Sequence, residues 1–182
     1  MNRNIVHRLS LLYLAMTLSG PAVADTDAPK PAPCSSAENA EFDFWVGDWK
    51  VSLPDGKPAG TSHVEKILGG CVVFENWYGA GGAFAGKSFN TWDPRQRTWN
   101  QVWVDNAGST IHFSGTRKGD VMDMSGTDST DEGTVYYQMS YTLNADGTVR
   151  QLWQQSSDGE QWETIFDGLY RRMSAGADAG PG

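Results

Sequence analysis

The sequence predicts an all-β fold, an antiparallel up-and-down β-barrel of eight to ten strands. Short β-type runs alternate with turn residues at intervals of about a dozen residues. Beyond residue 46 no helical period persists over 12 residues. The connections are too short for the crossovers that parallel strands need, so neighbours in sequence pair antiparallel. Closing the meander removes its edges; a sandwich made of the same hairpins is the alternative.

Residues 1–24 read as a secretory signal. Arg3 and Arg8 charge its start, Leu9 to Leu18 is apolar, and Ala22-Val23-Ala24 supplies a small-x-small cleavage site. Residues 25–37 form a Pro/Ala-rich flexible leader, 38–172 the barrel domain, and 173–182 a low-complexity tail expected to be disordered. Ser36 to Phe44 carries one helical turn with Ser36 as its N-cap.

The β-type runs follow at 46–53, 61–68, 71–78, 85–92, 98–105, 109–117, 120–126, 134–143, 147–156 and 162–171. Pro54-Asp55-Gly56, Gly69-Gly70, Gly79 to Gly82, Asp93-Pro94, Asn106-Ala107-Gly108, Lys118-Gly119, Asn144 to Gly147 and Ser157-Asp158-Gly159 divide them. Gly, Asn and Asp suit tight turns because they tolerate positive φ. Alternation puts Val73, Glu75 and Trp77 on one face and Val72, Phe74, Asn76 and Tyr78 on the other. Trp99, Gln101 and Trp103 share a face, as do Val135, Tyr137, Met139 and Tyr141. Trp162, Thr164, Phe166, Gly168 and Tyr170 align in the last run. Large residues on both faces of several strands exceed what a small solid core needs, and suit a barrel with a lined interior.

Charge and cysteines bound the setting. The chain carries 14 basic and 22 acidic residues, a net charge of −8. Removing 1–24 takes two Arg and no acid, so the mature net charge is −10. Such a surface repels phosphate backbones, which argues against a nucleic-acid partner. No apolar run reaches the ~18 residues of a membrane-spanning helix. A periplasmic or secreted location follows from the signal, and export favours a bridge between the two cysteines, Cys34 and Cys71. That disulfide would fasten the leader to the barrel and contribute ~3–4 kcal/mol by chain entropy; two buried thiols are the alternative.

Two formal motifs mislead. Gly81 to Ser88 satisfies G-x-x-x-x-G-K-[ST], but a phosphate-cradling loop needs a helix after it, and Phe89 to Pro94 reads as a strand ending in a turn. No nucleotide is expected there. Asp128 to Gly133 opens like a calcium loop, yet Met139 stands where a bidentate Glu should close it, so no metal is assigned. His63 and His112, the histidines of the mature chain, lack metal-ligand spacing, and neither G-x-S-x-G nor a His cluster supports nucleophilic chemistry.

What remains is polar residues beside Trp in mid-strand: Glu75-Asn76-Trp77, Asn100-Gln101-Val102-Trp103 and Arg150-Gln151-Leu152-Trp153. Aromatic walls with a few convergent polar groups make a small-molecule site; the alternative is a polar strand side facing water. The candidate ligand-binding set is Glu75, Asn76, Trp77, Asn100, Trp103, His112, Gln151 and Trp153, for a small, largely apolar or aromatic molecule. A second reading is an enzyme, of isomerase or hydrolase type, with Glu75 or His112 as general base. A third is a structural or interaction domain of the cell envelope.

Phe42-Asp43-Phe44-Trp45-Val46-Gly47-Asp48-Trp49 contains Gly-x-Trp at the first strand, which resembles the opening motif of lipocalins and the wider calycin group. The resemblance implies that Trp49 closes the barrel floor with Arg171 or Arg172 stacked over it. The spacing before Gly-x-Trp is two residues shorter than in lipocalins, and no second lipocalin motif is present. The chain also resembles, from about 34 to 172, a family of exported bacterial domains without an assigned function. That likeness rests on the same opening and on Gly69-Gly70-Cys71, Glu75-Asn76-Trp77, Trp103-Val104-Asp105, Asp146 to Gln151 and Phe166 to Arg172. More distantly it is similar to nitrobindin-type haem barrels. Those ligate iron through a His near the C-terminus; here the last His is His112, so no haem is expected.

Overall fold

A computed structural model describes residues 31–131 and 133–174. The signal segment, the first part of the leader and the tail from 175 lie outside the described residues. Ten strands run β1 (Gly47–Ser52), β2 (Pro58–Ile67), β3 (Val72–Gly79), β4 (Ala85–Asp93) and β5 (Thr98–Asp105), then β6 (Thr110–Lys118), β7 (Val121–Thr130), β8 (Gly133–Leu143), β9 (Val149–Ser156) and β10 (Glu163–Arg172). Each pairs antiparallel with its neighbour in sequence, and β1 closes on β10, from Trp49 opposite Arg172 to Ser52 opposite Leu169. The meander is therefore a closed barrel and not a sandwich.

Two strands differ from the expected runs. β2 begins at Pro58, three residues earlier than expected, and stops at Ile67 because Leu68–Gly70 forms a 3-10 turn with positive φ at all three residues. β7 continues through the acidic stretch to Thr130, which pairs with Gly133 across the hairpin. β10 departs in register as well. A shift at Ile165 sets Thr164 opposite Gln154 and Phe166 opposite Trp153. Thr164 therefore leaves the Phe166-Gly168-Tyr170 face, and Trp162 precedes the strand. A bulge of this kind adds one residue and flips what comes before it.

The chain enters β1 through two 3-10 turns, Glu38–Ala40 and Asp43–Trp45, which plug one end of the barrel. Phe42 and Trp45 are fully buried and stack at 5.0 Å, and Tyr141 meets Trp45 at 4.6 Å. Burying an aromatic side chain of this kind stabilises by about 2–3 kcal/mol. Polar ties hold the plug in place. Trp49 Nε1 donates to the Trp45 carbonyl at 2.8 Å, Trp99 Nε1 to Glu41 at 3.1 Å, and Arg117 to the Glu41 carbonyl at 2.7 Å. Lys66 pairs with Asp43 at 2.7 Å. Cys34 and Cys71 are bridged, with Cα atoms 5.0 Å apart, which fastens the described part of the leader beside this end.

Arg172 lies over Trp49 at 4.4 Å and donates to the carbonyls of Val46 (2.8 Å) and Phe44 (3.2 Å). Arg171 instead reaches Ser52 Oγ at 3.1 Å on the outer face. Of the two arginines that could cover Trp49, Arg172 does so.

Candidate functional site: an aromatic cavity over a buried acid

At the end opposite the plug the interior is open. Three glycines make the room. A Cβ on Gly60 would approach the ring of Trp77 to 2.8 Å, one on Gly168 would meet Phe166 at 2.5 Å, and one on Gly86 would overlap Trp103. With hydrogen in place of Cβ, Trp77 and Trp103 lie back against the strand beside them and Phe166 against its own. The rings line the wall and leave the centre unfilled.

The result is a cavity of ≈250 Å³. Trp77, Trp103, Trp153, Phe113 and Phe166 supply its aromatic wall. Trp153 meets Phe113 at 5.7 Å and Trp103 at 6.5 Å, and Trp77 meets Phe166 at 5.6 Å, all edge-on. Phe84, Asp105, Ser109 and Ile165 border the cavity where β3 to β6, β9 and β10 turn, and Phe84 and Ile165 are substantially exposed. Asp105 accepts from Trp103 Nε1 at 3.0 Å and from the N–H groups of Ala107 and Ser109. Burial pushes its carboxyl up, but these bonds outweigh that and leave it below its ordinary value.

Beneath the wall runs a polar belt. Ser62 and Ser88 donate to the two oxygens of Glu75 at 2.8 and 3.1 Å. Asn90 donates to Ser88 Oγ (3.1 Å), and Gln101 donates to Asn90 Oδ1 (2.7 Å) and to the Tyr141 hydroxyl (3.0 Å). Gln151 donates to the same hydroxyl at 3.2 Å and accepts from Tyr170 at 2.5 Å. Seven strands thus join one hydrogen-bond chain, which satisfies groups that would cost ~1–3 kcal/mol each if buried alone.

Glu75 is the exception in charge. It is 2% exposed, and among the described residues no cation pairs with it. Burial pushes its carboxyl up to about 7, against the smaller opposing effect of the Ser62 and Ser88 hydroxyls. Burial also raises the Tyr141 and Tyr170 hydroxyls well above their ordinary value, and the charge of Glu75 adds to both. Glu75 therefore changes charge near neutrality inside an apolar cavity, the setting in which functional acids are found. The Trp153 indole N–H is buried without a partner; so is that of Trp45 in the plug, so the missing bond alone does not mark a site.

Five of the eight candidate residues project inward and line the cavity: Glu75, Trp77, Trp103, Gln151 and Trp153. Three do not. Asn76 lies on the outer face of β3 and bonds Lys87. Asn100 is set opposite Ser114, between inward-facing Trp99 and Gln101. His112 is exposed on β6 between buried Ile111 and Phe113. His63 also faces outward, 2.6 Å from Asp48, four strands from β6, so the two histidines share no site.

Period 2 explains each correction. Glu75 and Asn76 are adjacent, and Asn100 and Trp103 are three apart, so an unbroken strand cannot send both members inward. The same rule selects Gln101, which stands two residues from Trp103. Ser62, Ser88, Asn90, Tyr141 and Tyr170 completed the belt with no motif to mark them. Gly81 to Ser88 is a loop leading into strand β4, with Lys87 outside and Ser88 buried against Glu75. The chain matches no family model and no curated protein.

Proposed function

We propose that this protein is an exported barrel that binds a small, largely apolar or aromatic molecule in its cavity. One observation carries the reading: a ≈250 Å³ space walled by aromatic rings and floored by a hydrogen-bonded polar belt. That volume is near the lower bound for small-molecule sites, ~300 Å³, and such sites share this mix of aromatic wall and few polar groups. The disulfide and the signal-like start support export. The likeness to calycin barrels supports a ligand in the interior, and that to exported bacterial domains supports export.

Native mass spectrometry of gently purified protein, followed by Trp-fluorescence titration with aromatic and lipid-like compounds, tests it. Trp77, Trp103 and Trp153 stand on the wall, so occupancy should shift or quench their emission. Failure of every compound to change emission, with no adduct in the native spectrum, overturns the reading.

A second reading has its own support. A carboxyl at about 7 is matched to general acid–base work near neutrality, and Glu75 has that value inside the cavity. An enzyme of isomerase or hydrolase type would use Glu75 alone, since His112 lies outside. Turnover of an ester or enolisable ketone that Glu75→Gln abolishes would establish it; equal turnover by the variant would dismiss it.

A further inference from the structure

The cavity is charged with one sign. Glu75 and Asp105 line it, and among the described residues no Lys, Arg or His does. Asp105 is committed to Trp103 and to the turn that follows it. Glu75 is not. Each of its oxygens takes a single hydroxyl hydrogen bond, from Ser62 and from Ser88, and a carboxylate has lone pairs for about four. The barrel offers this acid hydrogen bonds and no counter-charge. Above it stand the rings of Trp77, Trp103, Trp153 and Phe166, and indole faces attract ammonium and related cations within ~6 Å.

We propose that the cavity selects small aromatic amines carrying one positive charge, with the ammonium on the Glu75 carboxylate and the ring among Trp77, Trp103, Trp153 and Phe166. This deepens, and rests on, the reading of the cavity as a ligand site. Size narrows the class further. An apolar cavity of ~150 Å³ accepts benzene, so a space of ≈250 Å³ admits about ten non-hydrogen atoms. Carboxylates and phosphates of that size would face two acids and no cation, and are refused.

The groups that face Glu75 are Ser62 from β2, Ser88 from β4, Tyr141 from β8 and Tyr170 from β10. Both tyrosines stay protonated through neutrality, and Asp105 at the rim stays ionised. Glu75, at about 7, is thus the lining group that titrates there. An amine that binds its ionised form gains about thirty-fold in affinity from pH 5.5 to 8, where the amine itself remains charged.

Three probes with one ring and similar length separate the outcomes: phenethylamine, 2-phenylethanol and phenylacetate, titrated by calorimetry at pH 7.5. The expected order is phenethylamine at least tenfold tighter than the alcohol, with phenylacetate weakest. In Glu75→Gln the amine should lose its advantage while the alcohol binds within threefold of wild type, which also reports an intact cavity. Phenylacetate binding as tightly as the amine overturns the proposal, as does an amine-to-alcohol ratio unchanged in Glu75→Gln or flat in pH. If the alcohol binds and the amine gains nothing, charge selection alone falls. If none of the three binds, the ligand-site reading falls with it.

Discussion

Replacing Glu75 by Gln should flatten a pH dependence of stability that the wild-type barrel carries. The carboxyl titrates near 4.5 when unfolded and at about 7 when buried in the barrel. Between those values the folded protein holds the proton and the unfolded chain releases it. Stability from this group is therefore complete below pH 4.5 and falls as pH rises through 7. At 1.36 kcal/mol for each pH unit, the loss is about 3 kcal/mol, or roughly 6–12 °C in melting temperature for a domain of this size. Gln keeps the shape and can still bond Ser62 and Ser88, but it does not ionise. Urea denaturation of both proteins at pH 5 and pH 8, with the disulfide intact, yields the double difference. Surface carboxylates such as Asp158 and Asp167, whose values are lowered, act oppositely and cancel between the two proteins. Because the unfolded carboxyl is already partly ionised at pH 5, wild type should lose about 2.5 kcal/mol more than Glu75→Gln between the two pH values. Equal losses would refute the claim that Glu75 is buried without a counter-charge.

Other perturbations address the remaining parts. Opening the Cys34–Cys71 bridge, which closes a separation of 37 residues, should cost about 4 kcal/mol by chain entropy, read from denaturation with and without reductant. Arg172→Ala removes the cation over Trp49 and two carbonyl bonds and should cost about 1–2 kcal/mol, whereas Arg171→Ala stays within about 0.5 kcal/mol in the same assay. Gly86→Ala puts a methyl against Trp103 and drives the ring inward, with about 1–3 kcal/mol of destabilisation and weaker binding of any cavity ligand. Trp emission and the ligand titration should change together; binding at wild-type strength would show that the ring does not rest on Gly86.

All ten strands were readable because turn chemistry and alternation are local properties. Asn144 to Gly147 shows how: the Asn144 side chain and the Asp146 carboxylate bond Thr148, while Gly147 takes positive φ, all within five residues. The disulfide was readable for a different reason, since two cysteines leave only one pairing. Face assignment failed where composition was followed over period, as at Asn76 and Asn100. Ile165 could not be foreseen, because a bulge is defined by the partner strand and not by its own residues. The glycine seats were equally hidden. Gly86 and Trp103 are 17 positions apart, and Gly60 and Trp77 also 17; only the register of neighbouring strands brings them together. The belt through Tyr141 spans seven strands, a connection no linear pattern records.

The plug of Phe42 and Trp45 has a kinetic consequence. With one end of the barrel stoppered by fully buried rings, a molecule held inside has a single doorway, and it must depart by the route it arrived. The barrel is a cul-de-sac rather than a conduit. For a ligand of the kind proposed, a second occupant would wait for the first to leave, and arrival and departure would share the threshold at Phe84 and Ile165. Residence time would then be governed by that threshold, at the other end from the stopper that the disulfide and Arg172 fasten.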